Sequence, residues 1–212
     1  MYNGHRPFCY KDGIQIKRHL NDLAKEIFRK AIHMCAAFVP FLLSYAYLPV
    51  MVLLGLVFVF YCVSEFLRCR GINVPVVSTI TAAAARKRDE NRFVLGPATL
   101  AAGVLIAAAF FKPVPAAVGI FALAFGDGLA SLVGKFFGRI VIPGSAGKTV
   151  AGSLACFIAI FCSSFLVLKN VAMAFVVALV GMAIEILPLK DFDNLVIPII
   201  IAAVCQFCLC VM

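Results

Sequence analysis

Apolar residues in this chain come in seven long runs, at about 31–48, 49–66, 94–111, 114–133, 149–168, 171–189 and 194–211, parted by short polar connections. A helix needs ~20 apolar residues to cross ~30 Å of hydrocarbon, and these runs have that length. The period-two alternation of a membrane barrel is absent, so the pattern predicts an all-α fold: a polytopic helical bundle of about seven transmembrane helices. Helical spans satisfy their own backbone hydrogen bonds, which lipid cannot do.

Two shorter segments fall outside the seven. Ile16, Leu20, Leu23 and Ile27 recur at helical spacing among basic residues. This predicts a basic interfacial helix on the inner leaflet, behind a polar leader, so that residues 1–30 precede a transmembrane domain at 31–212. Residues 75–85 are apolar but too short to cross, and are expected to be re-entrant or interfacial. With so polar an opening, no cleavable signal peptide is expected.

Composition agrees. The chain is 64% hydrophobic over 212 residues, with a mean hydropathy of +1.05, more apolar surface than a soluble domain can bury. The nine cysteines are scattered, mostly within apolar runs, and suggest neither a disulfide framework nor a metal site. Seventeen of the nineteen lysines and arginines lie in the N-terminal arm and in every second connection; only Lys112 and Lys169 lie opposite. By the positive-inside rule the N-terminus is cytoplasmic, in a bacterial inner membrane or an ER-type membrane. The +9 formal charge then belongs to one face. It suits anionic phospholipid headgroups and anionic substrates; no nucleic-acid partner is expected.

Carboxylates collect on that same face, although acidic residues contribute little to orientation. Glu65, Asp127 and Glu185 lie within or at the ends of apolar runs, and Asp191 and Asp193 occupy the last cytoplasmic connection. Asp127 lies between Gly126 and Gly128, where backbone can approach closely. It reads as a Mg²⁺ ligand, as the group that orients an attacking hydroxyl, or as a packing carboxylate paired with a cation. Glycines 134, 138, 144, 147 and 152 surround Lys135, Arg139, Lys148 and Thr149. Exposed N–H groups, mobile positive charge and a helix N-terminus at Thr149 suit a phosphate; a flexible basic loop is the plainer alternative. A Walker A loop is excluded, because Ile142 stands at its first glycine position. Glu65 and Arg68, like Glu26 and Arg29, are spaced for local ion pairs. His33 reads as a packing residue. Glu185, Pro188, Asp193 and Asn194 form either turn chemistry or a set of oxygen ligands.

In this order, the residues resemble the CTP-dependent lipid kinase family, which includes dolichol, phytol and farnesol kinases and CTP-dependent diacylglycerol kinases. The resemblance runs from about Glu26 to Pro198. It rests on Arg29-Lys30 with His33, Glu65 with Arg68, Glu90 with Phe93 and Gly96, and Gly126-Asp127 with Ala130, Gly134 and Gly138. It continues in Lys148-Thr149 with Gly152-Ser153, and in Glu185 with Pro188, Asp193-Asn194 and Pro198. Thr149 stands where the family usually has serine, and Ala151 where it usually has glutamate.

The resemblance implies an integral membrane kinase that moves the γ-phosphate of CTP to the hydroxyl of a lipid alcohol, diacylglycerol or an isoprenoid alcohol. It implies catalytic roles for Asp127, Lys148 and Asp193, and Mg²⁺ on Asp127 with Glu185 or Asp193. Nucleotide contacts are expected from Gly134, Lys135, Gly138, Arg139, Gly147, Lys148, Thr149 and Gly152, with support from Arg29, Lys30, His33, Glu65, Arg68 and Asn194. The runner-up is a phosphatidate cytidylyltransferase (CDP-diacylglycerol synthase), whose His-Gly-Gly ending this chain lacks. A small transporter is less favoured, because it would place charges near the bilayer midplane. An inactive scaffold is hinted at only by Ala151.

Overall fold

The computed structural model describes residues 23–72, 75 and 93–211. Among the described residues the chain is all-α, with seven helices, one for each apolar run. They are α1 (Leu23–Tyr45), α2 (Tyr47–Cys69), α3 (Leu95–Phe110), α4 (Pro113–Phe137), α5 (Val150–Leu168), α6 (Val171–Ile186) and α7 (Asp193–Val211). Five are long and apolar enough to cross a membrane: α1, α2, α4, α5 and α7. At ~1.5 Å per residue, the 16-residue α3 and α6 reach only about 24 Å, so they fall short of a straight crossing. Helix length and hydropathy make this an integral membrane protein.

Boundaries follow local chemistry. Ala46, at φ −148° and ψ 78°, breaks the chain between α1 and α2, one turn before the break expected at Pro49; Pro49 sits in the first turn of α2, where its missing N–H costs nothing. Leu187 precedes Pro188, takes extended φ/ψ, and ends α6 at Ile186 instead of Leu189. Thr149 caps α5, its hydroxyl accepting from Gly152 N at 3.2 Å, and Asn170 caps α6 from Met173 N at 3.1 Å. Residues 23–30 are the opening turns of α1 and run without a break into the apolar part of the helix. The apolar segment expected to be re-entrant lies, apart from Pro75, outside the described residues, as does Glu90.

Helix α4 is the axis of the bundle. Two thirds of its apolar window is buried, against 11% for α2, which shows lipid most of its surface. Ile120, Leu123, Ile160, Ile197 and Ile201 fill the interior around it. Helix α7 crosses α3 and α4 closely: a Cβ on Gly103 would lie 2.4 Å from the Asn194 carbonyl, and one on Gly119 2.3 Å from that of Pro198. Because successive helices are antiparallel, the start of α1, the ends of α2, α4 and α6, and the starts of α3, α5 and α7 share one end of the bundle. The carboxylates lie there.

Candidate functional site

At that end a cavity of about 450 Å³ opens between α1, α4, the 140–150 connection and the α6–α7 turn. Helix α1 presents Glu26, Arg29, Lys30 and His33, at helical spacing on one face. Helix α4 presents Asp127, Ala130, Ser131, Gly134 and Lys135 in the same manner.

Asp127 lies deepest. It is the last residue of a π-helical segment, Ala122–Asp127, inside α4. Such wide turns are rare and concentrate at functional sites, because they redirect a side chain that a regular helix would aim elsewhere. The Asp127 Oδ2 accepts from Lys30 Nζ and lies 3.0 Å from His33 Nδ1; Oδ1 makes no hydrogen bond with the described residues. All three side chains are buried. A buried carboxylate is tolerable because a cation faces it; removing either member would strand the other.

One turn toward the mouth, Glu26 gathers a second cluster. Its Oε1 accepts from Arg29 Nη2 at 2.5 Å and from Ser131 Oγ at 2.9 Å, and its Oε2 accepts from Lys135 Nζ at 2.9 Å. Lys148 forms the third. Its Nζ donates to the Glu185 backbone carbonyl and lies 3.5 Å from Glu185 Oε1 and 3.9 Å from Asp193 Oδ2. The Glu185 Oε2 accepts from Ser153 Oγ at 3.0 Å.

Lys148 is delivered by a tight hairpin. Ile142 N donates to Lys148 O at 2.8 Å, Val150 N to Ile140 O at 3.0 Å, and Ser145 Oγ closes the turn on the carbonyls of Ile142 and Lys148. The tip turns through positive φ at Gly144 (77°), Ala146 (55°) and Gly147 (94°); the two glycines take this conformation without the steric cost that Ala146 bears. Helix α5 begins directly after; of its first N–H groups, Val150 N is held by Ile140 O and Gly152 N by Thr149 Oγ1.

Lining residues carry five cations (Arg29, Lys30, Lys135, Lys148, Lys190) and five carboxylates (Glu26, Asp127, Glu185, Asp191, Asp193). The lining is therefore balanced in charge, not a simple well for anions. Among the described residues no group of three or more His, Cys, Asp or Glu side chains is disposed to hold a metal ion. The donors are hard oxygens from Asp127, Asp193 and Glu185. That fits Mg²⁺ brought in on a phosphate, which uses one or two carboxylates and fills its octahedron from phosphate and water.

Most residues singled out from the sequence meet in this one cavity: Arg29, Lys30, His33, Asp127, Gly134, Lys135, Gly147, Lys148, Thr149, Gly152, Glu185, Asp193 and Asn194. Four do not line it. Arg139 is exposed beyond the end of α4. Gly138 is a packing residue: its Cβ would lie 2.5 Å from Thr149 Oγ1. Gly152 lines the cavity but also closes the α4–α5 crossing, with a Cβ position 2.7 Å from the Ala130 carbonyl. The glycines beside Asp127 likewise admit protein: Gly126 receives Ile160, and Gly128 receives Met34. Glu65 and Arg68 act elsewhere. Glu65 is fully buried, takes Arg68 in two hydrogen bonds of 2.6 and 2.9 Å, and accepts from Val94 N at 2.8 Å. It pins the entry of α3 to the end of α2. Asn194 donates to the Gly96 carbonyl and to Thr99 Oγ1, both at 3.3 Å, and so seats α7 on α3.

Sequence reasoning left Glu26 among local ion pairs, passed over Ser131, and gave Ser153 no role beyond its place in the resemblance. Ser131 lies four residues after Asp127, and that spacing was a usable signal. The π-helical segment had no signal beyond the glycines around Asp127. Compared with known protein families, with curated proteins and with solved structures, the chain has no match.

Proposed function

We propose that this protein is a membrane-embedded lipid kinase, transferring the γ-phosphate of CTP to the hydroxyl of a lipid alcohol with Mg²⁺ as cofactor. The observation that carries this reading is that Asp127 and Lys148, from α4 and a separate hairpin, share one cavity with Asp193, Glu185 and the basic face of α1. The lysine and arginine bias puts that cavity on the cytoplasmic side, where a soluble nucleotide and a membrane alcohol can both reach it. The preference for CTP rests on the family resemblance.

Charge parity supports the mechanism. A nucleoside triphosphate carries about four negative charges, which a neutral lining cannot offset alone. Asp127 and Asp193 would hold Mg²⁺, and Lys30 and Lys148, which face them in the cavity, would pair with phosphate oxygens. The ion would supply positive charge against the phosphate oxygens. The backbone of Gly147, at the hairpin tip, offers phosphate a further contact. The lipid hydroxyl oxygen attacks the γ-phosphorus in line, the bond to the β-phosphate oxygen breaks, CDP leaves, and the hydroxyl proton passes to a carboxylate, Asp127 or Asp193. The work of the protein is positioning and charge stabilisation.

The test is to give purified protein CTP labelled at either the α- or the γ-phosphate, with a panel of lipid alcohols and phosphatidate. Label from γ in the lipid is expected. Label from α, in a cytidylyl lipid, would replace this reading with cytidylyl transfer. Absence of label from both, with folded protein, would remove the enzyme reading.

A further inference from the structure

A second cavity, of about 730 Å³, lies at the opposite end of the bundle. Its wall comes from the far ends of α1 and α3 and the start of α4, chiefly Pro40, Leu43, Ala109, Val114, Ala117 and Ile120. Only two side chains with hydroxyls line it, and both hydroxyls are spent on backbone. Ser44 Oγ donates to the Phe41 carbonyl at 2.7 Å, and Tyr47 Oη to the Ala108 carbonyl at 3.2 Å. What remains to meet an occupant is hydrocarbon.

This cavity and the charged one are the two ends of a single helix pair. His33 lines the charged cavity and Pro40 the apolar one; Asp127 lines the first and Ile120 the second. On each helix the step is seven residues, or about 10 Å at ~1.5 Å per residue. Small buried residues, Ala36, Ala37 and Ala124, lie between. The rings of Phe125, Phe121 and Phe41 follow one another along the same seam, with centroids 6.0 and 5.8 Å apart.

We infer that the apolar cavity receives the hydrocarbon chain of the acceptor lipid whose hydroxyl lies beside Asp127. This rests on the lipid kinase reading for the hydroxyl, but the chain site has its own readout. An acceptor must then be long enough to cover the seam before its tail gains the cavity. Each methylene buried there adds affinity, and alcohols too short to reach it gain nothing from it.

The probe is a long-chain alcohol bearing a diazirine at the chain terminus, photolysed with the full-length protein in lipid nanodiscs and mapped by mass spectrometry. Adducts are expected around Ala109, Val114 and Ala117, and a short-chain analogue should give none there. Ala117→Phe should remove those adducts. It should also lower kcat/KM for the long alcohol roughly tenfold or more, with the KM for CTP unchanged and shorter alcohols spared. If Ala117→Phe does not fold, Ala109→Leu, at an exposed position, makes the same test more gently. Adducts spread over the lipid-facing side of α2, with none in the cavity, would overturn the inference and leave the cavity to bulk lipid. So would an unmoved chain-length profile in a folded variant. Cavity adducts in a protein that transfers no phosphate would keep the chain site and remove the kinase reading instead.

Discussion

Helices α1 and α4 meet twice, and the two meetings differ in kind. At one end they hold Lys30, His33 and Asp127 in a buried cluster; at the other they frame an apolar void whose two hydroxyls donate to backbone carbonyls. The same pair of helices thus builds a place for fixed charge and a place for oil, about 10 Å apart along their axes. The difference lies in what each end must solve. The charged end gives each of its buried ionic groups a partner of opposite charge, because lipid and protein interior solvate none of them. The apolar end needs no partner, and its volume is set by small side chains.

The harshest way to break this contrast is Asp127→Asn. It leaves Lys30 buried opposite an amide and removes the negative charge at the deepest point. Phosphate transfer should fall by at least about three orders of magnitude, the scale of losing a charge-stabilising group. The variant should also lose about 3–5 kcal/mol of stability, read as a lowered midpoint in detergent unfolding. Full activity in Asp127→Asn would take this residue out of the reaction.

Lys148→Ala comes next. One charge-assisted contact is worth about 1.5–3 kcal/mol, so the KM for CTP should rise roughly ten- to a hundredfold. An unchanged nucleotide dependence would deny Lys148 its phosphate. Gly138→Ala should destabilise by about 1–3 kcal/mol through collision with Thr149, shown by thermal unfolding, because that glycine sits in packing. The smallest effect belongs to Arg139→Ala. Exposed and outside the cavity, it should shift stability by no more than about 0.5 kcal/mol and leave the KM for CTP alone. A large rise in that KM would mean the hairpin rearranges around nucleotide.

These contrasts also mark how far the sequence could be read. Seven helices were legible because an apolar run is a length, and length is what a membrane measures. Their boundaries were less so. Pro188 signals the end of α6, yet nothing in residues 45–49 says that the chain breaks at Ala46 and not at Pro49. The cavity was legible as a set: carboxylates and cations in alternate connections must share an end if the helices are antiparallel. Pairings within it were not. Lys30 is four residues from Glu26 and still goes to Asp127, nearly a hundred residues away, because Arg29, Ser131 and Lys135 already occupy Glu26. Glycine was the most misleading residue. Around Thr149 it suggested a cradle for phosphate; at Gly134 and Gly138 it mainly permits α4 to lie against the start of α5. The π-helical segment before Asp127 was invisible, since no residue type encodes it.

The equal number of basic and acidic side chains lining the charged cavity bears on turnover. Under the proposed reaction the carboxylates act as internal competitors, resting on the lysines whenever phosphate is absent. CTP arrives with enough charge to displace them. CDP, with one phosphate fewer, holds its place less well, and Glu185 and Asp193 reclaim Lys148. On that reading, the pocket's own carboxylates would clear spent nucleotide.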